Sequence, residues 1–190
     1  MIEYLIRIDR QLLVFFNGLH TDFFDPVMYF ISAIPPWIPM YVIILFFVFK
    51  KQKWYGLITL AALLVLFACT DLISVHGFKN VFHRLRPCHD PVLKDIVYSY
   101  KDHCGGLYSF VSSHATNTFG LAWFTHLYFK NKWFSLWIFS WCSVVSLSRV
   151  YLGVHFPLDI ICGAILGSSL AFIVFYSYKF VLNKVQKPKN

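Results

Sequence analysis

Charge is scarce in this sequence: only 14% of its 190 residues are Asp, Glu, Lys or Arg, and acids number nine. Soluble domains carry about 25% charged residues, so a surface facing water on all sides is excluded. The chain has no internal repeat and no low-complexity linker, which excludes a collagen-like rod and a disordered chain. Five dispersed cysteines with no C-x2-C spacing are not the framework of a disulfide mini-protein. The first twenty residues hold no apolar run longer than Leu12 to Phe16, too short for the core of a cleaved signal peptide.

What is present is hydrophobicity. It makes up 58% of the chain, with 21 Phe, 11 Tyr and 6 Trp, and long uncharged stretches recur. That composition is a polytopic membrane protein, all-α, a bundle of five to six transmembrane helices. Val27 to Phe49 is uncharged but broken by Pro35, Pro36 and Pro39, which predicts a short dipping helix and then a first span from about Trp37. Further spans are expected over Trp54 to about Phe82, Ser112 to Phe129, Trp133 to Ser148 and Phe156 to Tyr178. In the N-terminal segment, Ile2, Leu5, Ile6, Leu12, Leu13 and Phe16 alternate with Glu3, Arg7, Asp9 and Arg10, the pattern of a helix lying in the membrane interface. The 190 residues are expected to form one domain.

The net charge of +8 would suggest nucleic acid if it were spread over a surface. It is instead clustered between apolar runs, so the bilayer, not nucleic acid, is the expected partner. Following five spans across the membrane puts Lys50, Lys51, Lys53, Lys130, Lys132, Lys179, Lys184, Lys187 and Lys189 on one side. The positive-inside rule makes that side cytoplasmic. The opposite face receives the N-terminal helix, the only long loop, Cys88 to Val111, and the turn Arg149 to His155.

That outer face collects an unusual set of side chains. Lys79 and Arg86-Pro87, then Ser112-Ser113-His114, then Ser148-Arg149 with His155 and Asp159 all lie at the same ends of their helices. Any one of these cations alone reads as an ordinary snorkelling residue, and His155 with Asp159 alone as a structural pair. Together they are the donors a tetrahedral phosphate needs. Lys79 and Arg86 are seven residues apart, two turns on one face if the helix persists, and Ser112 with the backbone at the start of its span adds donors where a helix dipole favours an anion. Asp159, four residues after His155, would accept from one imidazole nitrogen and leave the other free to attack phosphorus. His114 would then protonate the leaving oxygen.

In these motifs the chain resembles the type 2 phosphatidic acid phosphatase superfamily, lipid phosphatases grouped with soluble vanadium haloperoxidases. The family signature K-x6-R-P reads as Lys79 to Pro87, and S-R-x5-H-x3-D as Ser148, Arg149, His155 and Asp159. The middle motif, P-S-G-H, is degenerate: Val111-Ser112-Ser113-His114 keeps Ser and His and lacks Pro and Gly. The resemblance covers roughly residues 54–178. It implies that His155 forms a phosphohistidine, that Asp159 orients it, and that His114 is acid and then base. Lys79, Arg86, Ser112, Ser113 and Arg149 would bind phosphate, with no metal and no cofactor. Small members of the family are bacterial inner-membrane enzymes acting on undecaprenyl diphosphate, lipid A phosphates or phosphatidylglycerophosphate. The implied partner is therefore a lipid phosphate met at the periplasmic or exterior face. The rival is a transporter or lipid-binding scaffold that kept the anion pocket.

Three features remain. Asp71 lies about 12 Å deeper than Lys79 along its helix, either as a functional acid or as a structural hydrogen-bond partner. His155, Asp159, Gly163, Gly167 and Ala171 form one stripe, whose small residues suit close packing inside the monomer or, alternatively, a dimer face. Cys88 and Cys104 bracket the outer loop and are expected to form a disulfide; zinc held with His89 and His103 is the alternative.

Overall fold

The structure, a computed structural model, describes residues 2–102 and 104–186, and among these it is all-helical apart from one isolated antiparallel bridge between Leu85 and Tyr108. His103, Lys187 and Lys189 lie outside the described residues. Helix α1 (Ile2–Asn17) is amphipathic: Tyr4, Leu5, Leu12 and Phe15 are exposed while Asp9, Leu13 and Asn17 turn inward and are buried. Helix α2 (Phe24–Ser32) follows. Pro35 and Pro36 then force a 3-10 turn over Pro35–Trp37, and α3 (Ile38–Gln52) starts with Pro39 in its first turn, where a missing N–H costs nothing.

Lys53, in a positive-φ conformation, reverses the chain into α4 (Gly56–Leu72). This helix widens into a π-helix over Ile73–Lys79 and closes with a last turn, Asn80–Phe82. Helix α5 (Ser113–Phe129) is capped by Ser112; α6 (Lys132–Tyr151) is capped by Asn131, which accepts from the amides of Trp133 and Phe134. Gly153, at φ 69°, turns the chain into the 30-residue α7 (Pro157–Gln186).

Helix α5 is the central post, packed on α4, α6 and α7. Leu66, Phe124, Ile138 and Phe175 lie at the heart of this core. The small-residue stripe is used here: a Cβ on Gly163 would stand 2.8 Å from the Ser112 carbonyl oxygen, and one on Gly167 would overlap the Thr116 carbonyl. Intramolecular packing, not a free dimer face, explains both glycines.

The outside of the bundle is apolar. Phe46, Leu64, Ile161, Ile165 and Ile173 are all more than half exposed, a surface that only lipid solvates without cost. Among the described residues, three segments are long and apolar enough to cross a membrane: Pro35–Phe82, which holds α3 and α4, then Lys132–Tyr151 and Pro157–Gln186. The 17-residue α5 stands among them. The chain is an integral membrane protein.

The two ends of the bundle differ. At the lysine-rich end, Thr59 and Gln52 share a hydrogen-bond network with the Tyr178 hydroxyl, and Lys51 donates to the Tyr128 carbonyl. At the other end, α1 and α2 tie down the long loop. Asn17 donates to the carbonyls of Tyr98 and Tyr151 and accepts from the Tyr98 amide. Asp25 accepts from the hydroxyls of Tyr98 and Tyr151. Burial works to raise the Asp25 carboxyl, but these hydroxyls outweigh it and hold the group below the usual carboxylate value. The same bond pushes the Tyr98 phenol up to about 12.

Candidate active site

His155 sits in the turn between α6 and α7, where Gly153 lets the chain fold back and the amides of Val154 and His155 both reach the Arg149 carbonyl. Asp159 follows in the first turn of α7. One of its oxygens, Oδ2, accepts from the Phe156 amide at 2.9 Å and faces His155 Nδ1 at 3.5 Å, longer than a hydrogen bond, and that nitrogen has no hydrogen-bond partner among the described residues. Both side chains are buried, His155 at 1% exposure and Asp159 at 0%. Burial first, then the positive charges of Arg86, Arg149 and Lys79, push the His155 pKa well below its ordinary value. The imidazole is therefore neutral at neutral pH, with its Nδ1 turned to Asp159 and its Nε2 on the far side of the ring.

The cations arrive from three elements. Lys79, on the π-helix, donates to Ser113 Oγ at 2.8 Å, and that hydroxyl also bonds Ser74 Oγ at 2.8 Å. Arg149, near the end of α6, donates one amino group to the Ser32 hydroxyl, and its Nε has no partner among the described residues. Arg86 is held by an extended segment, with Nη1 donating to the carbonyls of Cys104 (3.1 Å) and Val154 (3.4 Å), and its Nε is likewise unpartnered. Burial lowers the Arg86 pKa, and Asp159 pulls it partly back. His114 stands within electrostatic reach of Arg149, His155, Arg86 and Lys79. The expected residues thus converge, with unspent donors on two guanidinium groups.

Three details differ from the sequence expectation. The helix does not persist from Lys79 to Arg86: it stops at Phe82, His83 adopts the left-handed conformation, and the chain runs extended so that Leu85 pairs with Tyr108. The Ser112 hydroxyl oxygen accepts from the Ala115 amide as an N-cap, which leaves its O–H to donate, while the Ser112 N–H is given to the Asp159 carbonyl and is not free for phosphate. The first amides of α5, which have no intrahelical partner, are further donors there. Asp71 is exposed on α4 and stands within electrostatic reach of Lys79.

Four participants were not picked out from sequence. Arg84 donates to Asp159 Oδ1 at 2.8 Å and to Asp9 Oδ2 at 2.6 Å. Asp9 also accepts from the Leu158 amide at 2.8 Å. Ser74 and Ser32 support Lys79, through Ser113, and Arg149. The one available signal was Asp9 itself, an acid among the apolar positions of an amphipathic helix.

Below the polar cluster, an apolar cavity of about 410 Å³ opens between α3, α4, α5 and α6, with His114 and Ser32 in its wall and Trp37, Phe67, Leu121 and Trp141 among its lining. Cys88 and Cys104 are joined as a disulfide with their Cα atoms 6.1 Å apart. The two sulfurs and a His89 ring nitrogen lie within 4.8 Å of one another, but the bridge occupies both thiolates a zinc ion would need, and His103 lies outside the described residues.

Residues 56–182 match the PAP2 superfamily. The chain is 37% identical to the lipid A 4'-phosphatase of Bacteroides thetaiotaomicron over 93% of its own length and 79% of the relative's. It is 36% identical to the lipid A 4'-phosphatase of Porphyromonas gingivalis over 96% and 78%. Among solved structures, a PAP2-type phosphatidylglycerolphosphate phosphatase from Bacillus subtilis shares the fold at a TM-score of 0.69 and 24% identity, covering 98% of this chain and 90% of that one. Aquifex aeolicus LpxE does so at 0.63 and 19%, over 87% and 93%. A match across two thirds of the chain, and two relatives aligned over more than nine tenths of this chain and more than three quarters of their own length, leave one assignment: the chain belongs to the PAP2 superfamily and is a membrane lipid phosphatase.

Proposed function

We propose that this phosphatase removes phosphate from a cell-envelope lipid at the exoplasmic face of a bacterial inner membrane, through a phosphohistidine on His155. The 4'-phosphate of lipid A is the first substrate to test, because two relatives aligned over more than nine tenths of this chain carry that activity in their names. Five spans, α3 to α7, and an interfacial α1 make up one domain. What carries the proposal is a fully buried His–Asp pair set beside Lys79, Arg86 and Arg149, above an apolar cavity sized for part of a lipid chain.

The phosphoryl oxygens are held by Lys79, the free edges of Arg86 and Arg149 and the first amides of α5, which include that of Ser113. His155 Nε2 attacks phosphorus while Asp159 keeps the proton on Nδ1. The bond from phosphorus to the lipid oxygen breaks, and His114, which takes up a proton when the negative charge of the bound phosphate offsets the cations around it, gives that oxygen its proton. His114 then takes a proton from water, which attacks the phosphohistidine; inorganic phosphate leaves and His155 regains its neutral state. The buried cations lose a cost of burial when the dianion enters, which favours a filled site.

A phosphate-release assay in chelator, over lipid A, undecaprenyl diphosphate and phosphatidylglycerophosphate, separates the substrates. Acid-quenched labelling assigns the intermediate: His114→Ala should still trap label slowly from a substrate with an activated leaving group, and His155→Ala should trap none. Label on the His155→Ala protein would remove His155 as nucleophile. No release from any of the three lipids would overturn the envelope-lipid assignment.

A further inference from the structure

We propose that Asp9, on the N-terminal helix and outside the residues matched to the family, is a positioning residue for catalysis, acting on Asp159 through Arg84. The inference rests on His155 being the nucleophile. Arg84 places one amino group on Asp159 Oδ1 (2.8 Å) and the other on Asp9 Oδ2 (2.6 Å). A guanidinium facing a lone carboxylate normally grips both of its oxygens in a two-pronged pair. Here that grip would take Oδ2, the oxygen turned toward His155 Nδ1. Asp9 draws off the second amino group, so Arg84 anchors Asp159 by Oδ1 only and leaves Oδ2 facing the histidine, whose Nδ1 has no other partner among the described residues.

The same carboxylate fixes the frame in which this happens. Its Oδ1 accepts from the Leu158 amide at 2.8 Å, in the first turn of α7, one residue before Asp159. Arg84 also lies over the Phe156 ring, 3.8 Å from its centroid, which limits its swing. Asp9 is 2% exposed and Asp159 is fully buried, so water does not compete for either. An interfacial helix thereby supplies part of the support for a nucleophile that is 146 residues away in sequence.

Asp9→Asn isolates the link, because the amide oxygen can still accept from Leu158 while the charge that holds Arg84 is gone. Full-length protein is assayed on whichever of lipid A, undecaprenyl diphosphate or phosphatidylglycerophosphate the wild type cleaves fastest. The expected result is a fall in kcat of about 10- to 100-fold with KM within about twofold, the pattern of a misaimed nucleophile. Label trapping on His155 should slow by the same factor, and Asp9→Glu should restore part of it. Arg84→Lys, which keeps the charge and loses the fork, should show the same split, and adding Asp9→Asn to it should cost little more. Arg10→Ala is the control for helix docking: Arg10 pairs with Asp90 at 2.9 Å from the same helix and does not contact Asp159. Its kcat should stay at the wild-type level. Unchanged kcat in Asp9→Asn, a rise confined to KM, or an equal loss in Arg10→Ala overturns the positioning role. If Asp9→Asn does not fold, the Arg84→Lys split decides. A wild-type protein that cleaves lipid but traps no label on His155 defeats the underlying assignment instead.

Discussion

At the scale of single residues, the site sets histidine chemistry against positive charge. His155 has its pKa lowered by burial and by Arg86, Arg149 and Lys79, so its neutral form, the one the proposed mechanism uses as nucleophile, is favoured. Arg86→Gln removes one of those charges. Protonation of His155 then becomes easier, its pKa rises, and the acid limb of the kcat/KM profile should move to higher pH. Arg86→Lys should lower kcat/KM by losing the fork but leave the limb in place. Comparing variants on one substrate cancels the ionisation of the phosphate itself. A limb that stays fixed in Arg86→Gln would show that Arg86 does not set the protonation of His155. The residues in this prediction were legible in the sequence because they repeat a spaced motif. Arg84 was not, since a second arginine two places before Arg86 looks like one more interfacial cation until Asp9 is brought 75 residues to meet it.

Between elements, the α5–α7 contact sets the distance from His114 to His155. Any side chain at Gly167 meets the Thr116 backbone, which cannot move as a flexible side chain would. Gly167→Val should therefore push the helices apart, costing about 1–3 kcal/mol or more from overpacking, and activity should fall further than stability. Thermal unfolding in detergent, alongside turnover, checks this; a stable and fully active variant would mean that the contact relaxes at no cost. The long loop has its own fastener. The Cys88–Cys104 bridge closes 16 residues and its Cys104 carbonyl receives Arg86. A closure of that size is worth about 3 kcal/mol in the loop-entropy model. Reduction should raise KM through Arg86 well before it unfolds the bundle, read as KM against reductant with circular dichroism in parallel. Hydropathy made the helices legible. The break at His83 was not, because nothing in Val81-Phe82-His83-Arg84 marks a left-handed residue; the bridge to Tyr108 and the Ser109 amide bonded to the Arg84 carbonyl hold it there.

Over the whole molecule, charge and chemistry sort to opposite ends. Lys50, Lys51 and Lys53 close α3, and Lys130 and Lys132 join α5 to α6, all at the end where Thr59, Gln52 and Tyr178 meet. The cations proposed to bind phosphate lie at the other end, each with a site partner: Ser113 for Lys79, Ser32 for Arg149, Cys104 and Val154 for Arg86. The positive-inside rule counts cations near span ends. Those committed to a buried pocket do not act as free topological signals, so the weak sequence bias becomes a clear one, and the topology we propose has Lys50 and Lys130 in the cytoplasm and the Cys88–Cys104 bridge outside, where disulfides persist. A cysteine introduced at Lys51 or Lys130 should react with an impermeant maleimide only after cell lysis. One introduced at Asp95, an exposed residue of the long loop, should react in intact cells. Labelling of both before lysis would report leaky cells. Labelling of the lysine-end position alone would invert the protein and place phosphate release in the cytoplasm.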